Sequence, residues 1–347
     1  MDADVKNPET PDPFNNSELL DVEIEGRIGV KSFAVHLLGS WRLAGIAIPF
    51  LILFLILCFT SAHFFSVLNL VDGILDQQSA TLAIAAAGTL VLVAGGLDLS
   101  VGAIYGLAAV VSGELAEHHS PVLAIGVALL VGLGFGIING LIVAYLKINP
   151  LIATLAMSFV IAGVALKVSN NNLIVLSENS GFYKFANVYF LSVPSAVWIV
   201  LFFVIILTLL LARTNFGRYV VASGGNAEAA RLAGVRVNQI RIITFALSGL
   251  AAGLGGVIDT SRLLSAQATS GGSGLTFTVL AGIVVGGTSI AGGEGSVPRT
   301  TLGVLFIALI GNGFDLLNIN VLYQQIVLGL ILILAVSIDV WARKRRR

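Results

Sequence analysis

The sequence predicts an all-α polytopic integral membrane protein with about ten transmembrane helices and both termini cytoplasmic. Three observations carry this. Hydrophobic residues make up 56% of the 347 residues and charged residues 11%, against roughly 25% charged in soluble domains. Ten windows approach the ~20 largely apolar residues that a membrane span needs: 43–62, 79–96, 100–116, 121–146, 151–168, 195–212, 241–262, 276–290, 300–317 and 321–340. Finally, with ten spans and both ends inside, 16 of the 19 Lys and Arg residues fall on the cytoplasmic side. Only Lys167, Lys184 and Arg262 fall outside, in keeping with the positive-inside rule.

Taken in order, residues 1–40 differ from all that follows. Asp2, Asp4, Glu9, Asp12, Glu18, Asp21, Glu23 and Glu25 accompany Pro8, Pro11 and Pro13, a composition expected to give a solvated, disordered cytoplasmic tail. It has neither the basic region nor the short apolar core of a secretory signal, so the first span is expected to be retained.

The second and third windows meet at Gly95-Gly96-Leu97-Asp98-Leu99-Ser100-Val101-Gly102. An Asp at a helix centre in lipid costs ~2.5–3.5 kcal/mol on insertion scales, which argues against lipid exposure here. Asp98 and Ser100 are expected to cap the helix that starts near 101. The stretch is either an interhelix turn or part of a substrate pathway, since irregular backbone at this depth survives where protein buries it or where it lines a wet cavity.

In the fourth window Gly132, Gly136 and Gly140 recur every four residues, a face for close helix packing, and Gly249 and Gly253 offer the same later. The polar island 213–241 carries Arg218, Arg231, Arg236 and Arg241. Its middle reads as a helix of about two turns: Asn226 as N-cap, Glu228 in the first turn, Arg231 three residues on and able to pair with it, Gly234 as a left-handed terminator. Isolated helices this short are marginal in water, so a docking partner is expected. Gly286-Gly287-Thr288-Ser289-Ile290-Ala291-Gly292-Gly293-Glu294-Gly295-Ser296 reads as a tight loop between spans, and 342–347 as a basic cytoplasmic tail, a stop signal or an additional lipid contact.

Several functions are excluded or disfavoured. A formal net charge of zero gives no electrostatic case for nucleic acid, and Cys58 as the single cysteine rules out an intramolecular disulfide. His118-His119 without companion ligands reads as a hydrated loop rather than a metal site. The phosphate-cradling GxxxxGK[ST] is missing, and none of the six lysines follows a glycine. No nucleophile, base and orienter come together in the sequence, so no catalytic residue is assigned.

GGLDLSVG at 95–102, INPLIATLAMSFVIAG at 148–163, TNFGRYVVASGGNAEAARLAGVRVNQIR at 214–241, SRLLSAQATSGGSG at 261–274 and GGTSIAGGEGS at 286–296 resemble the transmembrane permease subunit of ribose-type ABC sugar importers. The likeness spans about 43–341, which implies a transmembrane permease domain over 41–341. It implies two permease copies, a cytoplasmic ATPase that binds ATP and Mg, an extracytoplasmic sugar-binding protein, and residence as a multi-pass protein in the bacterial inner membrane. It also assigns Gly224, Gly225, Asn226, Glu228, Ala229, Ala230, Arg231 and Gly234 to the loop that docks on the ATPase. One departure bears on substrate: the ribose permeases carry an acidic pair after the position of Gly274, and this chain has Leu275-Thr276-Phe277-Thr278-Val279-Leu280. The segment 169–193, with Asn170, Asn171, Asn172, Tyr183 and Tyr189, is a second place where the solute is not fixed.

A neutral sugar calls for hydrogen-bonding groups without strong net charge. Gln77, Gln78, Thr81, Asp98, Ser100, Thr154, Ser158 and Asn312 are the pathway candidates, and each of these side chains can equally serve interhelical hydrogen bonding. The expected function is inward passage of a monosaccharide or similar polyol, powered by the partner ATPase. The alternatives are an importer permease for another solute such as an amino acid, and an autonomous secondary transporter or channel.

Overall fold

In bilayer the backbone must satisfy its own polar groups, so apolar runs close into helices. The computed structural model describes residues 45–177, 181–320 and 322–344. The acidic segment 1–40 and the end of the basic tail lie outside the described residues. In chain order the helices are α1 (Gly45–Thr60), α2 (Ser79–Val93), α3 (Val101–His118), α4 (Pro121–Tyr145), α5 (Pro150–Val168), α6 (Lys184–Asn187), α7 (Ser195–Arg213), α8 (Asn215–Gly225), α9 (Ala227–Leu232), α10 (Val237–Leu263), α11 (Gly272–Val285), α12 (Val297–Leu316) and α13 (Leu322–Lys344).

Among the described residues five of these, α4, α5, α7, α10 and α12, are long and apolar enough to cross a membrane. Shorter apolar helices occur at α1, α2, α11 and the Leu322–Ser337 part of α13. Two features were not anticipated. A π-helical segment, Leu68–Asp76, precedes α2, and the first part of the polar island forms a helix of its own, α8, ahead of α9. Among the described residues, four two-residue strands pair as small antiparallel ladders: β1 (Ile174–Val175) with β4 (Ser265–Ala266), and β2 (Tyr189–Phe190) with β3 (Val193–Pro194).

The centre of the bundle is α2, whose fifteen residues are all buried. Around it pack α7, α10, α11 and α12, while α4, α5 and the outer face of α7 turn side chains such as Leu130, Phe159 and Phe202 outward. That is the distribution expected where lipid replaces water as the outer solvent. The glycine spacing of α4 has the predicted consequence. A methyl group on Gly132 would sit 2.5 Å from the Gly249 carbonyl oxygen, one on Gly140 2.7 Å from the Ile242 Cα, and one on Gly249 2.8 Å from the Gly136 Cα. The backbones of α4 and α10 therefore touch, as small residues allow where no hydrophobic force drives association.

Candidate functional site

Asp98 sits in the turn between α2 and α3 and is buried. Its Oδ1 accepts from the Ser100 amide at 3.0 Å and the Ser100 hydroxyl at 2.6 Å, and its Oδ2 accepts from the Ser248 hydroxyl of α10 at 2.8 Å. The Asn139 amide of α4 donates to Ser100 Oγ at 2.7 Å. Thr154 of α5 donates to the Leu97 carbonyl at 3.2 Å and accepts from the Leu99 amide at 3.0 Å. Asp98, Ser100 and Thr154 thus join one buried knot binding the turn to α4, α5 and α10.

The capping expectation needs correction here. Ser100 occupies the N-cap of α3, but its hydroxyl donates to Asp98 and makes no cap bond. The Gly102 amide in the first turn instead reaches Thr276 Oγ1 of α11 at 3.2 Å. The side chain that comes within reach of a free amide belongs to another helix.

At the far end of α2 a cleft of about 700 Å³ opens. Gly73, Gln77 and Gln78 line it from the π segment and the start of α2, Ser273, Gly274, Phe277 and Thr278 from α11, Asn312 and Asp315 from α12, and Gln324, Gln325 and Leu328 from α13. Of the eight pathway candidates, Gln77, Gln78 and Asn312 meet there. Thr81 is buried within α2, and Ser158 donates to its own helix at the Leu155 carbonyl. Asn312 is engaged: it exchanges hydrogen bonds with Asn69 at 2.7 and 3.1 Å, tying α12 to the π segment. Gln77, Gln78, Gln324 and Gln325 carry the amides that face the cleft without such a pairing. Asp315, Ser273, Gln324 and Gln325 were missed; they fall at helix ends, where no periodicity singles out a residue. Phe277 and Thr278 lie in the 275–280 segment, the stretch expected above to bear on the choice of substrate.

Beside the cleft the π segment is latched. Tyr189 donates to Asp72 Oδ1 at 2.9 Å, and this bond pushes the exposed phenol above its usual range. Arg262 of α10 lies 3.8 Å from Asp76 and 2.9 Å from Asp259, to which the Tyr105 hydroxyl also donates.

At the opposite end, the short helix predicted in the polar island is α9. Asn226 Oδ1 accepts from the Glu228 amide at 3.1 Å and the Ala229 amide at 3.0 Å, so it is the N-cap. Gly234, at φ 84°, ends the helix, with its amide on the Arg231 carbonyl and the Val235 amide on the Ala230 carbonyl. Ala230 is the buried anchor, whereas Glu228, Ala229 and Arg231 are exposed. Glu228 and Arg231 make no ion pair among the described residues, contrary to the expected pairing. Leu232, 87% exposed, was overlooked because one apolar residue in a two-turn helix gives no pattern. Gly225 is exposed, but Gly224 is wedged against α2 and the 286–296 loop.

Residues 70–336 match the family described as "Branched-chain amino acid transport system / permease component". The chain belongs to this permease family. It is 40% identical over 308 residues to the ribose import permease protein RbsC of Bacillus subtilis, covering 88% of this chain and 95% of that one. Against RbsC of Escherichia coli K12 the identity is 37% over 300 residues, 84% of this chain and 92% of the relative. The L-arabinose ABC transporter permease protein AraH of Azospirillum brasilense is 37% identical over 314 residues, 89% and 91% of the two chains. No solved structure matches the chain. In this permease family member the motifs at 95–102, 214–241 and 286–296, far apart in sequence, occupy one end of the bundle.

Proposed function

We infer that the chain is the membrane subunit of an ATP-driven importer that carries a monosaccharide or similar polyol. The observation that carries this is the polar part of the cleft wall: set among aliphatic residues such as Ile307, Ile310 and Leu332 are neutral amides and hydroxyls from four chain segments, one aromatic face at Phe277, and Asp315 as the one charged side chain among the described residues of the wall. Amides and hydroxyls donate and accept at fixed points, which suits a polyhydroxylated solute. A carboxylate can accept from two neighbouring hydroxyls of a sugar. An amino acid would ask for a cation to meet its carboxylate, and Arg262, the nearby guanidinium, is committed to Asp259 and Asp76. The relatives named for ribose and arabinose favour the same substrate class.

The rest of the assembly follows as part of this reading. Ten spans with both termini inside set α9 on the cytoplasmic face and the cleft on the outer face. Gly225, Asn226, Glu228, Ala229, Arg231 and Gly234, with Leu232, are exposed and form the surface for an ATPase that binds ATP and Mg, while Gly224 and Ala230, packed inward, support it from behind. A second copy of this chain completes the pathway, and an extracytoplasmic sugar-binding protein delivers to the cleft. The inner membrane of a bacterium is the setting.

Reconstitution tests it. The purified chain in lipid is expected to hydrolyse no ATP and to concentrate no sugar, and addition of the ATPase and a loaded binding protein is expected to give uptake of ribose or a related sugar. Hydrolysis by the chain alone, or concentrative uptake driven by an ion gradient without ATP, would refute the reading.

A further inference from the structure

Three glycine-bearing segments meet backbone to backbone at the end of α2. Gly224 is the next-to-last residue of α8 and lies two positions before the N-cap of α9. A methyl group on it would overlap the Val93 carbonyl oxygen and come within 2.7 Å of the Gly293 amide nitrogen. The Gly293 amide donates to that same Val93 carbonyl at 2.8 Å. It thereby satisfies one of the carbonyls that a helix end leaves without a partner. A methyl on Gly293 would lie 2.8 Å from the Gly225 Cα, and one on Gly292 2.9 Å from the Gly95 Cα. The hydroxyls of Thr89 and Thr300 lie 2.8 Å apart, with Thr288 3.4 Å from Thr300, so the 286–296 loop holds α2 a second time, through Thr300, one turn higher.

Such a joint has no slack. Side chains absorb a displacement by changing rotamer, but two backbones in contact cannot, and close-packed interiors pass strain on. From the joint α2 runs fifteen residues, about 22 Å at 1.5 Å per residue, buried along its whole length. At its other end the Gln78 amide donates to the Ile74 carbonyl at 3.0 Å and Ser79 Oγ to the Leu75 carbonyl at 3.0 Å. The helix is thus continuous with the π segment, whose wider turns are frequent at functional sites. Gln77 and Gln78, on the cleft wall, stand at that junction.

We propose that the contact of Gly224 and Gly293 with Val93 is the joint through which movement of α9 reaches the cleft, with α2 as the rigid link and the π segment as the part that yields. This rests on α9 being the ATPase contact proposed above. Gly224 acts as a positioning residue: it touches neither solute nor nucleotide.

The test uses the full complex of permease, ATPase and binding protein in nanodiscs and in vesicles. A fluorophore is placed at Leu68→Cys in a Cys58→Ala background, Leu68 being an exposed residue of the π segment outside the cleft wall. In Gly224→Ala the ATPase is expected to co-purify and to hydrolyse ATP as in the parent, while the ATP-driven fluorescence change and uptake fall about tenfold, a typical coupling between sites. Gly134→Ala in α4, whose methyl would meet open space, is expected to match the parent in all four readouts. Parent-like fluorescence and uptake in Gly224→Ala overturn the proposal, as does loss of ATPase association, which would make Gly224 part of the docking surface. If Gly224→Ala does not fold, Thr89→Val breaks the hydroxyl contact to Thr300 without adding volume. About a threefold weaker fluorescence change is expected there, within the range for positions along a coupled path, and a parent-like change overturns the proposal. Undiminished ATPase capture by Glu228→Arg with Arg231→Glu would instead take Glu228 and Arg231 off the docking surface, and with them the α9 contact on which the joint rests.

Discussion

The two ends of α2 are built from opposite materials. At the α9 end the contacts are backbone on backbone: Gly224, Gly292 and Gly293 admit neighbours where any side chain would collide, and Gly95 turns the chain at φ 78°. At the cleft end the wall is side chain: Gln77, Gln78, Asn312, Gln324 and Gln325 project amides around an open space. The first arrangement specifies one geometry and tolerates almost nothing else. The second tolerates substitution and is where chemistry toward a solute can vary. The glycine motifs at 95–102 and 286–296 belong to the first arrangement, and the 275–280 segment, through Phe277 and Thr278, to the second.

If the dry, backbone-packed part of the bundle is as unforgiving as this contrast requires, Gly136→Val should show the largest effect. A methyl there already approaches the Ala246 Cα at 3.0 Å and the Gly249 Cα at 3.1 Å, and valine adds two more carbons. Overpacking costs ~1–3 kcal/mol and occasionally more, and here both partners are helix backbones that cannot swing aside. The folded fraction after detergent extraction, read by size-exclusion chromatography and thermal melting, is expected to collapse. A parent-like melt would mean that α4 and α10 can part without loss, and the contrast would fail.

Asp98 tests the same region with a polar group. Asp98→Leu leaves the Ser100 amide, the Ser100 hydroxyl and the Ser248 hydroxyl without their acceptor, and a buried unsatisfied group costs ~1–3 kcal/mol. A marked drop in melting temperature and yield is expected. Asp98→Asn keeps an acceptor for Ser100 and turns a donor toward Ser248, whose hydroxyl can rotate to accept, so it should recover most of the loss. Equal melting of the Asp98→Leu and Asp98→Asn variants would show that these hydrogen bonds contribute nothing.

How much of this was legible in the sequence follows from the same contrast. The α4 glycines, the Asn226 cap and the Gly234 stop were readable because each depends on neighbours three or four residues away in the chain. The Gly102 amide finding Thr276, and Gly224 finding Val93 and Gly293, were not, because those contacts join segments 69 to 174 residues apart. The π segment was missed since its residues fit no apolar window. In the cleft, Gln77 and Gln78 stood out as polar residues beside an apolar span and Asn312 as one inside a span, whereas Asp315, Gln324 and Gln325 sit near the ends of spans, where polar residues are ordinary.

At the cleft end a smaller and different effect is expected. Gln324→Ala and Gln77→Ala remove amides that face the open space, so the melting temperature should stay close to that of the parent while uptake weakens. One lost hydrogen bond of this kind is worth about 0.5–1.5 kcal/mol, a factor of roughly two to ten in the apparent affinity or maximal rate of sugar uptake. Asn312→Ala should differ from both, because the bond to Asn69 is lost as well and the melt should move. Uniform loss of stability in all three would assign the cleft amides to structure rather than solute.

The smallest effect on the fold is expected from Glu228→Arg combined with Arg231→Glu. Even a formed pair at this spacing stabilises a helix by only ~0.2–0.5 kcal/mol, and here the two side chains are exposed and make no ion pair among the described residues. What holds α9 is elsewhere: Asn226 at its start, Gly234 at its end and Ala230 against the bundle. The double exchange touches none of these and leaves the net charge unchanged, so insertion and melting should match the parent. A docking partner, by contrast, meets a rigid surface on which a positive and a negative group have changed places, and like charges brought together across an interface cost several kcal/mol. Capture of the ATPase and ATP-driven uptake, measured side by side, should both fall while the melt does not. Normal capture with normal uptake would remove Glu228 and Arg231 from the contact surface, and a lowered melt would mean that α9 is held by its charges after all.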